Sequence, residues 1–255
     1  MIEVPPELIG LATRELWQVL GVFLRVSAVV SLMPGFGERS IPMRVKLAVA
    51  VVFALIVASA VEEVPVPASP LGFAGFALPE IGVGLVLGIG LRLFVLALQT
   101  AGSIAAQATS LSQFLGGAGE PLPAMGMLLA LAGTTLALIL GLHVRAAEFL
   151  IHSYTLFPPG RVPVPSDLSR WGVAQVARSF ALAFTLATPF VIASLLYNLA
   201  LGVINRAMPQ LMVAFVGAPA ITFAGLFLLF ICVPVILPVW AEALFTFLDN
   251  PAGAR

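Results

Sequence analysis

The chain has 255 residues, 60% of them apolar and only 9% charged, with twelve basic residues balancing twelve acidic ones. An ordinary soluble domain is about 25% charged, so a mean hydropathy of +1.11 leaves too little polar surface for a protein that faces water on all sides. Charge balance also removes the field that would attract nucleic acid, and the expectation is an integral membrane protein or a chain buried in a larger apolar assembly.

Six hydrophobic regions follow in order, at about 17–33, 45–60, 78–98, 123–142, 180–204 and 211–241. Their Leu, Ala and Phe content without two-residue alternation predicts helices rather than barrel strands, hence an all-α chain. The first region is expected to be retained, because Glu3, Pro5, Pro6 and Glu7 are not the basic start of a cleavable signal. Residues 34–44 form a turn-rich basic loop before the second region, which is near the lower length limit for a span. Residues 61–70 are acidic and proline-rich, and 157–167 carry Pro158, Pro159, Pro163 and Pro165, so the latter are expected to be extended rather than helical.

The last region, Leu211–Ala241, is roughly 46 Å long as a helix, more than one crossing needs. Gly217-Ala218-Pro219 is expected to divide it into a short arm ending near Val216 and a longer helix from Ala220, with Pro234 and Pro238 kinking the rest and Pro189 kinking the preceding region. Between the last two regions lies the polar block Asn205 to Gln210, costly in lipid unless it marks a surface turn or a meeting place with partners. With Arg39, Arg44 and Lys46 placed inside, alternation puts Arg145, Arg161, Arg170 and Arg178 outside, against the positive-inside rule. No internal repeat is evident, and a single domain over 1–255 is expected.

Gln99, Ser103, Gln107 and Ser110, spaced by four, four and three, share one helical face bordered by Thr100 and Gln113. Such an uncharged polar wall suits a wet passage, and equally a helix that hydrogen-bonds to neighbouring helices. It runs into Phe114-Leu115-Gly116-Gly117-Ala118-Gly119-Glu120-Pro121, a flexible loop that reads as a movable plug or as a plain connection. Gly84 and Gly88 form a G-x-x-x-G packing surface rather than a dinucleotide fingerprint. Arg25, Arg92, Glu80 and Glu242, set in or beside apolar runs, point to structural ion pairs or contacts with other subunits. Arg145, Glu148 and His152 share a face and read as a satisfied polar stripe, and Cys232 as a small buried hydrophobe. His143 and His152 are nine apart without cysteine companions, so no metal site is expected, and no hydrolase, kinase or phosphate-loop motif occurs.

With these residues in place, the chain resembles the FliR family, the R subunits of the flagellar type III export gate, and their virulence counterparts, the SctT family. The likeness rests on Asn205-Arg206-Ala207-Met208-Pro209-Gln210-Leu211, on Gly217-Ala218-Pro219 with Gly225, on the early Pro34…Gly37…Ile41-Pro42-Met43-Arg44 element, and on Glu80-Ile81-Gly82-Val83-Gly84 with Gly88. It implies bent helical hairpins assembled with FliP and FliQ into a heteromeric pore for unfolded flagellar proteins. FlhB and FlhA are the further partners, the bacterial inner membrane and flagellar basal body the location, and no catalysis or cofactor is involved. In such a gate the polar face of Gln99, Ser103, Gln107 and Ser110 is the candidate pore lining. Phe114, Leu115, Gly116, Gly117, Gly119 and Pro121 belong to a plug over Ala108–Leu122, where the family has more Phe than the Phe114 present here. Arg206, Met208, Pro209, Gln210, Gly217 and Pro219 are implied to meet other subunits. A small secondary transporter is the alternative from another class; it predicts an inverted repeat and convergent polar groups that this sequence lacks.

Overall fold

Backbone amides in hydrocarbon must be satisfied within the chain, and these apolar runs do so as helices. The structure, a computed structural model, describes residues 6–65, 67, 69–110, 124–207 and 213–251. Among the described residues there are seven helices and no strand: α1 (Pro6–Leu32), α2 (Met43–Ala58), α3 (Pro70–Ser110), α4 (Ala124–Ile139), α5 (Leu142–Leu156), α6 (Pro165–Ala207) and α7 (Val213–Asp249). Among the described residues four segments are long and apolar enough to cross a bilayer, Ala12–Leu32, Pro70–Ala108, Pro165–Ala207 and Phe223–Asp249, and the bent pair Met125–Ile139 and Leu142–Leu156 would make a fifth if it counts as one span.

Two expectations are corrected. The Gly217-Ala218-Pro219 sequence does not divide the last region; α7 runs through it and through Pro234 and Pro238. A proline deletes one amide donor and crowds the preceding turn, a loss that helices in apolar surroundings accommodate. Pro79 and Pro189 lie inside α3 and α6 in the same way. Helix α5 follows the fourth apolar region and carries Arg145, Glu148 and His152. Gly141, at φ +90°, takes the left-handed conformation that separates α5 from α4. Finally, the extended loop before α6 ends at Val164, since Pro165 occupies the first helical position, where its missing amide costs nothing. At 41 and 43 residues, α3 and α6 are each about 60 Å long, because amphipathic or polar sequence extends the apolar core of both helices.

The chain forms two compact units. The first comprises residues 1–92, 138–175 and 245–255. Its core takes Val22, Val26 and Val29 from α1, Met33 just after it, Val83, Leu87 and Leu91 from α3, and Phe149 and Leu150 from α5. Helices α1 and α3 approach closely along Gly84 and Gly88: a Cβ on Gly84 would stand 2.5 Å from the Arg25 carbonyl oxygen, and one on Gly88 3.1 Å from the Leu32 side chain. The G-x-x-x-G pair therefore does pack helices, whereas Gly82 faces open space. The second unit comprises 93–137 and 176–244. There Trp240 is fully buried and donates its indole N–H to the Phe94 carbonyl at 2.8 Å. The α3 and α4 backbones touch, a Cβ on Gly102 falling 2.4 Å from the backbone of Gly126. Lipid tails are as apolar as these side chains, so close backbone contact and polar pairing carry the helix association more than the hydrophobic effect does.

Candidate functional site

Polar chemistry is concentrated in two places. In the first unit, Arg25 and Glu80 each fall on the buried face of a helix, and both are essentially inaccessible, at 0% and 1% exposure. The guanidinium donates from Nε to Glu80 Oε2 at 2.9 Å and from Nη2 to Oε1 at 3.1 Å. Its remaining reach goes to backbone: Nη1 donates to the Ser153 carbonyl at 3.0 Å and Nη2 to the Phe157 carbonyl at 2.9 Å. The Tyr154 ring lies 3.7 Å below the guanidinium carbon, a cation–π contact strengthened by desolvation. Glu80 Oε1 also accepts the amide of Gly160, at 2.9 Å. Gly160 has φ +70°, a conformation that costs other residues about 1 kcal/mol or more. One ion pair thus ties α1, α3, α5 and the turn after α5 together.

The structural role expected of Arg25 and Glu80 is what the geometry gives. Arg92 pairs with Glu38 at 2.9 Å, half-exposed. Ser153, Tyr154, Phe157 and Gly160 were not legible as members of the cluster; the signal available was one isolated charge in each of two apolar runs, with a Pro-Pro-Gly turn downstream. Arg145 is satisfied from elsewhere than its own helix, donating to both Asp249 oxygens at 2.8 Å, and Glu148 is exposed. Cys232 is half-exposed rather than buried. Among the described residues no cluster of His, Cys, Asp or Glu is arranged to hold a metal.

The second polar place is the C-terminal part of α3, in the second unit. Leu98, Ala101, Ala105 and Ala108 are buried, and Gly102 and Gly126 bring α4 against that side. The other side carries the expected stripe: Gln99 and Ser103 are half-buried and Gln107 is exposed. Ser103 turns its hydroxyl onto the Gln99 carbonyl at 2.9 Å, so the stripe presents amides more than free hydroxyls. Ser110 is the last residue of α3, and its side chain lies outside the described residues. So do Phe114, Leu115, Gly116, Gly117, Gly119 and Pro121, together with Met208, Pro209 and Gln210. Arg206 is exposed in the last turn of α6, and Gly217 and Pro219 belong to α7. Much of the outward surface of α6 and α7 is apolar. Phe180, Phe184, Leu195 and Leu199 of α6 and Phe223, Phe230 and Val235 of α7 are all more than half exposed.

Residues 16–247 match the family described as bacterial export proteins, family 1. The chain is 36% identical over 234 residues to the flagellar biosynthetic protein FliR of Caulobacter vibrioides, covering 89% of this chain and 93% of that protein. It is 29% identical over 230 residues to the FliR proteins of Escherichia coli, with 89% and 88% of the two chains covered, and of Bacillus subtilis, with 86% of each.

Proposed function

The chain belongs to family 1 of the bacterial export proteins, and on that footing we propose that it is a FliR-type, pore-forming structural subunit of the flagellar type III protein export gate. The end-to-end likeness to FliR of Caulobacter vibrioides, 36% over 89% of this chain, carries the assignment, and it favours the flagellar system over the virulence one. It assembles with FliP and FliQ in the bacterial inner membrane, beside FlhB and FlhA, and helps unfolded flagellar proteins cross. All 255 residues serve that one purpose as a single gate-forming domain, without catalysis or cofactor.

The mechanism is passive. The Gln99, Ser103, Gln107 and Ser110 face of α3 lines the passage. Neutral amides offer an extended polypeptide hydrogen bonds but no charge to trap it, so many sequences slide past. The loop from Phe114 to Pro121 plugs the resting pore, and Arg206 to Gln210 with Gly217 and Pro219 meets neighbouring subunits. Exposed Leu, Val and Phe on α6 and α7 support such a role, since they suit contact with lipid or sister helices. A strain lacking its own FliR provides the test. This chain, expressed with its cognate FliP and FliQ, should co-purify with them and restore swarming. Normal accumulation with neither co-purification nor swarming refutes the assignment.

A further inference from the structure

Beside the buried ion pair, within the first unit, lies a cavity of about 450 Å³ bounded by the end of α5, the loop that follows and the start of α6. Its walls are apolar, formed by Phe157, Pro163, Val164, Leu168 and Trp171, with Arg161 and Asp167 on the lining. We propose that this cavity binds the glycerol-phosphate region of an anionic phospholipid, with the phosphate on Arg161 and the first acyl carbons along Val164, Leu168 and Trp171.

Four observations converge on that ligand. The wall is built in advance: the Phe157 carbonyl and Gly160 amide that shape the turn are held by Arg25 and Glu80 at 2.9 Å each, so binding does not have to order the loop. The charge presented is positive. Asp167 is neutralised by Arg170 at 2.7 Å, whereas the Arg161 side chain has no hydrogen-bond or ion-pair partner among the described residues. A guanidinium suits a phosphate because its planar donors match two oxygens at once.

Val162 and Val164 in the same loop are 74% and 59% exposed, an apolar rim that water alone does not explain. Position supplies the fourth observation. The loop leads into Pro165–Ala207, one of the segments able to cross a bilayer, and precedes its charge-free apolar run at Phe180, which sets it on the headgroup side of the hydrocarbon. Arginine and tryptophan are the residues that anchor a protein at that depth, and basic pockets beside membrane helices take anionic headgroups. The Trp171 indole N–H is already spent on the Pro251 carbonyl at 2.8 Å, so its ring serves as an apolar wall.

The test is native mass spectrometry of the full chain with its co-purifying subunits, titrated in micelles with phosphatidylglycerol and with phosphatidylcholine of the same acyl chains. The intact chain is expected to retain phosphatidylglycerol about fivefold more tightly, the increment typical of one arginine near a membrane surface. Arg161→Gln should erase that preference. Val164→Glu, at an exposed position that tolerates the change, should lower phosphatidylglycerol retention further, while Arg14→Gln, remote in α1 and paired with Glu63, should leave it intact. Equal retention of the two lipids by the unaltered chain overturns the proposal. So does an Arg14→Gln effect equal to that of Arg161→Gln, which would mean diffuse charge attraction. Displacement by millimolar soluble glycerol phosphate also overturns it, since the site would then be one for free organophosphates.

Discussion

Removing Glu80 or Arg25 singly should cost far more than removing both. Glu80→Met leaves the Arg25 guanidinium in a site with no solvent access, and breaking a buried pair in this way costs about 3–5 kcal/mol. It also orphans the Gly160 amide, which Glu80 accepts, at about 1 kcal/mol or more. Arg25→Met strands the carboxylate and frees the Phe157 carbonyl, a similar total. Each single substitution is therefore worth about 4–6 kcal/mol.

In the double Met variant no charge remains. The Ser153 carbonyl keeps its bond from the Phe157 amide at 2.9 Å, so the residual loss is the Gly160 amide and the Phe157 carbonyl, about 2–4 kcal/mol together. The cycle should return a coupling of at least about 4 kcal/mol. Detergent-purified chain titrated with sodium dodecyl sulfate, read by circular dichroism and tryptophan fluorescence, measures it. Where single variants fail to accumulate in membranes, recovery of accumulation in the double variant is the same comparison. Additivity within about 1 kcal/mol, or double-variant levels below both singles, would refute the premise that burial of an unpaired charge dominates here.

Three further outcomes are expected. Gly102→Ala sets a Cβ 2.4 Å from the Gly126 backbone and should lower the unfolding midpoint by an amount equivalent to about 2 kcal/mol or more, whereas Gly82→Ala, which meets nothing within 4 Å, should be neutral or stabilising by up to about 1 kcal/mol; equal effects in the same titration would contradict the packing assigned to α3 and α4. Asp249→Asn removes the partner of Arg145, but side-chain exposures of 42% and 57% hold the loss below about 1 kcal/mol, and a shift as large as that of Glu80→Met would be inconsistent with that solvation. Deleting Gly116–Gly119 should raise small-ion conductance of the reconstituted gate, and unchanged conductance in the intact complex would remove the plug role from that loop.

Composition and hydrophobic runs settled the helical class, because an apolar medium leaves the backbone only helices or a closed barrel and the runs lack a barrel's two-residue alternation. Spacing alone placed Gln99, Ser103 and Gln107 on one face, since a helix repeats every 3.6 residues wherever it packs. The same local logic failed at Pro219: a proline's intrinsic preference to end a helix is a weak force beside the requirement for continuous hydrogen bonding in hydrocarbon, and α7 runs on. Hydropathy likewise gave no apolar region over α5, although the spacing of Arg145, Glu148 and His152 put them on one helical face; Asp249 and the Phe149–Phe247 ring contact at 5.9 Å give that helix its surroundings.

What the sequence determined by itself, then, is everything that follows from neighbours along the chain: membrane class, helices and the polar stripe. Only the tertiary structure decided that Arg25 meets Glu80, 55 residues away, above Tyr154 and beside Gly160. A charge in an apolar run announces that it needs a partner. Which partner it finds depends on chain crossings that no local pattern encodes.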